Sequence, residues 1–308
     1  MTEFGGPEVL GVVDIPETHA GPGEIRLRVH AATVNPTDTM TRNGARAETL
    51  RQESPPYVPG MDAAGVVDEI GEGADTDLRV GDRAMAVVVP HGGYGAYSEH
   101  VVVPAASATH VPAGADDAAA STLPMNALTA RQALDLLALS PGETLAVTGA
   151  AGSFGGYAIE LAKADGLRVI ADASEADEAL VRSLGADVVV RRGDDVASRI
   201  RDVAPDGVDG VADGAVLDDY IMPAVRDSGG IATVRGYTGP DARGVTWHPV
   251  WVGSYAQEHA KLERLREQVE AGEVTLRVAG TFPAEEAAET HRRLEAGGVR
   301  GRHVIMFD

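Results

Sequence analysis

The sequence has no cysteine. That absence excludes disulfides, thiolate zinc centres, iron–sulfur clusters and a cysteine nucleophile. Positive charge is also short, with 26 Lys and Arg against 47 Asp and Glu for a net charge of −21. A surface this acidic argues against a binder of nucleic-acid backbone, which needs clustered cations, and against docking on anionic lipid. Lysine is confined to Lys163 and Lys261, and Ala, Gly and Val are abundant, a pattern that reads as codon bias. The acid excess reads as a solubility feature, with salt adaptation the other possibility. No apolar run approaches the ~18 residues a membrane span requires. The opening Met1-Thr-Glu-Phe-Gly-Gly6 does not have the form of a signal peptide. A soluble, reduced, cytoplasmic protein is the expectation.

What is present is a chain of 308 residues, 44% of them hydrophobic, enough for a substantial core and about two domains. Its texture changes near residue 115. Before that point, short apolar runs at Arg26–His30, Gly65–Ile70, Arg83–Val89 and His100–Val103 alternate with Gly and Pro turns and predict an all-β region. A helix should open at Asp116–Asp117, be interrupted at Pro124 and resume through Leu139. Beyond it, strands at Thr144–Thr148, Arg168–Ala171, Val188–Val190, Val208–Ala212 and Gly230–Val234 alternate with helices at Phe154–Ala164, up to Leu184, Val196–Val203 and Leu217–Val225. Such alternation predicts a doubly wound parallel sheet. In the tail, Val245–Val252 should be extended and Tyr255–Ala271 helical, with strands at Leu276–Ala279 and His303–Phe307 flanking an Ala284–Leu294 helix. The tail is expected to pack back on the N-terminal β region, making the parallel-sheet unit an insertion.

The strongest local signal is Leu145-Ala-Val-Thr-Gly-Ala-Ala-Gly-Ser-Phe-Gly-Gly156. A strand runs into a glycine turn and then a helix. Gly149 and Ala150 form the turn, with Ala150 where the first motif glycine usually stands. Gly152 lets the backbone approach a pyrophosphate, and Gly155 lets helix and strand pack closely. Ser153 and Phe154 open a helix whose free N–H groups and dipole favour an anion. Dinucleotide binding is the reading, with a ligand-free turn the alternative. The next strand should end beside the adenosine ribose, about 20 residues on, and Asp172 falls there. An acid at that point accepts from a ribose 2′-hydroxyl and repels a 2′-phosphate. Ser174, Arg191 and Arg192 would favour the phosphate instead, so the residues themselves leave NAD and NADP open.

This loop, with Glu160-Leu-Ala-Lys163 and Val169-Ile-Ala171 behind it, resembles the zinc-independent quinone oxidoreductase branch of the medium-chain dehydrogenase/reductase superfamily. The likeness extends through Phe4–Leu10, Ala31–Asp38, Val58–Val67, Val80–Arg83, Gly93–Val103, Leu128–Ala130, Leu184–Asp187, Ala287–His291 and Gly301-Arg302, essentially the whole chain. It implies an α/β protein in which a GroES-like, β-rich catalytic domain (1–115 plus 253–308) is interrupted by a Rossmann cofactor domain (116–252), usually as a homodimer. It implies NADPH as cofactor, with NAD left open by Asp172. The family's cation after the second strand is replaced by Ala176 or Asp177, and Arg192 falls where many relatives carry a tyrosine near the 2′-phosphate. Most relatives have a short strand before Phe4-Gly-Gly that this sequence does not show, so either the edge of the N-terminal sheet is altered or the native start lies upstream.

The resemblance also places Asn35 and Met61 where zinc alcohol dehydrogenases hold a Cys and a His, so no zinc is expected. Without a Lewis acid, a simple ketone is a poor hydride acceptor, whereas a quinone or enone spreads the incoming charge onto oxygen through its π system. Asn35 and Thr37 are candidates to hydrogen-bond that oxygen, Thr37 standing where the zinc enzymes carry a proton-relay hydroxyl. The alternative for Asn35 is a turn former before Pro36, and Asp38 is expected to orient the loop. Tyr57, Tyr94 and Tyr97 are candidate pocket walls or proton donors, or ordinary loop packing. Relatives place Thr129 near the nicotinamide; the alternative is a helix-surface hydroxyl. Ala215, Val234 and Gly236 lie in loops after the fourth and fifth strands, where such sheets bind ligand. Trp247–Tyr255 would wall the pocket, pair across a dimer or pack in the core. His91, His110, His248 and His259 show no metal spacing. The expected function is NADPH-dependent reduction of a quinone or activated alkene, with no nucleic-acid or membrane partner. An enoyl-thioester or polyketide reductase, or a non-catalytic NADPH-binding protein, is the alternative.

Overall fold

The computed structural model describes residues 1–90 and 94–307, so His91 and Gly93, the start of one family-like segment, fall outside the described residues. The chain forms two compact units. One comprises Met1–Met125, Ala256–Glu270 and the chain from Leu276 onward; the other comprises Asn126–Tyr255 and Ala271–Thr275.

The first unit begins with β1 (Glu24–Thr33), α1 (Pro36–Arg42), α2 (Ala47–Leu50), β2 (Asp62–Ile70), β3 (Arg83–Val87), β4 (His100–Pro104), β5 (Ala108–His110) and α3 (Asp117–Ser121). Alternation along β1 puts Ile25, Leu27 and Val29 into a core with Val67, Ala84, Ala86, Val101 and Val103. The N-terminal region is therefore not all-β. Asn35 ends the extended chain and Pro36 presets the backbone for α1, a seven-residue helix too short and polar to show a periodicity. Asp116 caps α3 by accepting from the Ala119 N–H at 2.7 Å.

The chain continues with α4 (Pro124–Leu137), β6 (Thr144–Thr148), α5 (Ser153–Ala164), β7 (Arg168–Ala173), α6 (Glu178–Ser183), β8 (Val188–Arg191), α7 (Val196–Val203), β9 (Val208–Asp213), β10 (Val225–Thr233) and β11 (Thr246–Pro249). The six strands are parallel in the order β11-β10-β9-β6-β7-β8, the doubly wound arrangement of a dinucleotide fold. Ala146, Ile170, Val211, Ile221 and Ile231 are buried together in its core. One expected helix fails. Leu217–Val225 is instead a 3-10 segment, Asp218–Ala224, with Pro223 inside it. Proline lacks the N–H an α-helix needs there, and β10 starts early, at Val225.

After α8 (His259–Glu270) the chain adds β12 (Val278–Pro283), α9 (Ala287–Ala296) and β13 (Arg302–Met306). These strands complete the first unit's sheet in the order β12-β13-β1-β2-β3-β5, with β4 also paired to β1. β12 lies further along the chain than the expected Leu276–Ala279 strand. Among the described residues no helix is long and apolar enough to cross a membrane.

Candidate functional site

In the second unit, β6 delivers the chain to Gly149, whose φ of +63° is a left-handed conformation that favours glycine. Gly152 is the residue before α5, and its N–H closes the turn onto the Gly149 carbonyl at 2.9 Å. At Gly155 a Cβ would lie 2.5 Å from the Gly149 oxygen and 2.6 Å from the Ala150 Cα, so helix and turn touch where a side chain would stand. Ala150 is fully buried at the place of the usual first glycine. The first-turn N–H groups of α5 have no acceptor within the helix and lie at the positive end of its twelve residues. Beside them, the Ser153 hydroxyl is buried without a partner among the described residues, and the half-buried Phe154 ring packs near Gly214. A buried hydroxyl with no acceptor or donor costs free energy unless a ligand meets it. A turn held this tightly by glycines, with an orphan hydroxyl at a helix N-terminus, fits a dinucleotide pyrophosphate.

The neighbouring loops are fixed from below. Thr148, at the end of β6, donates its hydroxyl to Asp213 at 2.6 Å and accepts from the Ala215 N–H at 3.2 Å. Asp213 also accepts from the N–H groups of Leu217 and Asp218. In the sequence, Asp213 is marked only as an acid closing an apolar strand. Val234 and Gly236 form the turn after β10, Gly236 at φ +74°, tied by the Thr233 hydroxyl donating to the Tyr237 carbonyl at 2.7 Å. Thr129 lies partly buried along α4.

The adenosine corner departs from expectation. Asp172 is 7% exposed, and its carboxylate accepts from the Ala150 N–H at 3.1 Å and also from the Gly149 N–H. It braces the glycine turn from beneath instead of lying open to a ribose. Burial raises its pKa, against the backbone donors and the nearby Arg192. The Ser174 hydroxyl donates to Asp177, and Arg191 pairs with Glu175 at 3.1 Å. Arg192 is exposed.

In the first unit, a buried polar cluster gathers at the start of α1. Asn35 is fully buried and donates its side-chain N–H to Asp62 at 2.6 Å. Its main-chain N–H donates to Asp38 at 2.8 Å. Asp38 further accepts from the Gly60 N–H at 3.0 Å and the Tyr97 hydroxyl at 3.1 Å, and that hydroxyl also meets the His291 Nε2 at 3.2 Å. Burial lifts Asp38 to about 6 and, together with the charge of Asp38, Asp62 to about 7. Burial also raises Tyr97 well above its ordinary range and lowers His291 to about 3, so the imidazole is neutral. Between Asn35 and Asp38, the Thr37 hydroxyl is buried and has no partner among the described residues. Tyr57 is placed differently. Its ring stacks on Phe4 with centroids 5.2 Å apart, and its hydroxyl donates to the Glu53 carbonyl at 3.3 Å, which is a packing role. No local pattern marks His291 or the grip of Asp62, because their partners lie far away along the chain.

At the two positions where zinc alcohol dehydrogenases hold a Cys and a His, this chain has the Asn35 amide, which turns an N–H toward Asp62, and the Met61 thioether. Among the described residues no group of three or more His, Asp or Glu could hold a metal.

A β-rich unit with this polar cluster and a parallel-sheet unit with a dinucleotide turn define a dehydrogenase of the alcohol dehydrogenase fold. Residues 21–113 match the alcohol dehydrogenase GroES-like domain and residues 184–305 the zinc-binding dehydrogenase family. The chain is 30% identical to an NADPH-dependent alkenal/one oxidoreductase, chloroplastic, of Arabidopsis thaliana, over 99% of this chain and 78% of that protein. It is 29% identical to a quinone oxidoreductase of Pseudomonas aeruginosa, over 98% and 97%. A mycobacterial protein solved in complex with NADPH is 29% identical, with a TM-score of 0.86 over 99% of this chain and 98% of that one. The chain belongs to the quinone oxidoreductase branch of the medium-chain dehydrogenase/reductase superfamily, and it is an oxidoreductase.

Proposed function

We propose that the protein is an NADPH-dependent reductase of quinones or activated alkenes. The carrying observation is Asn35–Thr37: a buried neutral amide takes the place of a zinc enzyme's ligand, and, two residues on, a buried hydroxyl without a partner among the described residues takes the place of its proton relay. Gly149, Ala150, Gly152, Ser153, Phe154 and Gly155 hold the pyrophosphate, and Thr129, Ala215, Val234 and Gly236 serve the rest of the cofactor. Asp172 keeps the turn in shape, and Arg192 is the cation for the 2′-phosphate, with Ser174 beside it. When bound, NADPH supplies the hydride. Thr37 donates a hydrogen bond to the acceptor's oxygen, and Asn35 supports that oxygen through its amide, where charge develops as the hydride adds to the conjugated carbon. A quinone then takes up one proton in all, on the oxygen that received the charge, and becomes a hydroquinone when the reduced ring carbon gives up a proton and the second oxygen gains one. An enone takes one proton at its α-carbon. The NADPH-complexed and NADPH-dependent relatives support the choice of cofactor. The reading includes a cytoplasmic homodimer, which sedimentation and fractionation test.

The decisive experiment follows NADPH oxidation with benzoquinone and with methyl vinyl ketone, in the presence of a chelator. Turnover unaffected by the chelator is expected. Saturable NADPH binding with no turnover of any conjugated acceptor overturns the reading. Thermal shift with each nucleotide tests the cofactor, NADPH being expected to stabilise more than NADH.

A further inference from the structure

Asp62 is the first residue of β2, opposite Val87 of β3, so the sheet fixes where its carboxylate stands. The residue is 0% exposed. One oxygen accepts from the Asn35 side-chain N–H at 2.6 Å, and the other accepts from the Met125 N–H, on the first turn of α4, also at 2.6 Å. A second buried carboxylate, Asp38, takes the main-chain N–H of the same Asn35. Asn35 is thus gripped twice, at backbone and at amide, by two carboxylates that also repel each other. Arg302, from β13, is the cation that offsets both, and the Tyr97 phenol faces them from before β4.

This is an expensive way to hold a turn. Burying a carboxylate is costly even when it is paired, whereas a neutral hydroxyl or carbonyl suffices to cap a short helix. What a carboxylate adds is two acceptor oxygens and no donor. It dictates which end of the Asn35 amide faces it and so fixes the amide's dipole. We propose that Asp62 is a positioning residue for hydride transfer, setting the Asn35 amide with one oxygen and the start of α4 with the other. The inference rests on the reductase reading above.

Asp62→Asn keeps the volume but leaves one acceptor oxygen for two N–H donors. With benzoquinone and NADPH above about pH 8, where Asp62 is ionised, kcat is expected to fall about 10- to 100-fold. NADPH affinity, followed by the cofactor's own fluorescence, should stay within about twofold. The double variant with Asn35→Ala should lose no more than Asn35→Ala alone, because Asp62 acts through that amide. A merely structural Asp62 would not give this split. Should Asp62→Asn fail to fold, Asp62→Ser is read the same way. A folded variant with parental kcat, or losses that multiply in the double variant, overturns the proposal. A parent enzyme that reduces no conjugated acceptor overturns the reductase reading, and the proposal with it.

Discussion

Asp38 and Asp62 bind a proton more tightly in the folded protein than in the unfolded chain, because burial penalises their charged forms. For an acid raised in this way, the folded state holds more protons between the unfolded value of 3.8 and the folded values of about 6 and about 7. Stability from these two groups is therefore full below that window and is lost as pH rises through it. Asp187 and Glu263 work in the opposite sense: ion pairs and hydrogen bonds lower them, and their contribution is lost toward acid. The whole-protein profile mixes the two kinds, so the informative quantity is a difference. Urea unfolding of the parent and of Asp62→Asn should show the parent's advantage shrinking as pH rises from about 5 to about 8. A difference that stays constant over that range would mean that Asp62 does not titrate inside the fold.

At the scale of elements, the glycine turn and α5 act as one device, and Gly155 and Ser153 test its two parts. Gly155→Ala puts a methyl against the Gly149 oxygen and the Ala150 Cα, backbone that has nowhere to go. We expect a loss of about 1–3 kcal/mol of stability and weakened NADPH binding. Ser153→Ala removes an orphan hydroxyl, so the free protein should be no less stable while NADPH affinity drops about three- to tenfold. Equal NADPH affinity in calorimetry would show that the hydroxyl does not meet the cofactor. This device was legible in the sequence because strand, turn and helix are contiguous and each has its own signal. The parallel sheet was legible for the same reason, its strands being apolar and its helices periodic. What the sequence hid is short or distant. α1 has seven residues and little apolar periodicity, and Pro223 turned an expected helix into a 3-10 segment. The Asp62–Asn35 and Tyr97–His291 contacts span 27 and 194 residues, and no local pattern announces them. Asp172 was found by spacing, yet which way its carboxylate turns depends on the packing of β7 beneath the glycine turn.

At the scale of the molecule, the net charge of −21 sets the electrostatic balance. Pairs such as Arg26–Asp68 and Lys163–Asp187 are attractive, and salt weakens them. With 47 acids and only 26 bases, however, many carboxylates have no cation to meet, and compaction brings them closer together. Screening must relieve more repulsion than it removes attraction, because surface pairs are worth little while self-repulsion sums over the whole chain. Going from ~0.01 M to ~0.15 M ionic strength shortens the Debye length from about 30 Å to about 8 Å, from roughly the width of a domain to that of a side-chain cluster. The melting temperature of the free protein should therefore rise with sodium chloride over that range, and potassium chloride should have the same effect. A fall in melting temperature would show that the acids are neutralised locally, by pairs and by raised carboxyls such as Asp62, and that the net charge carries no stability cost.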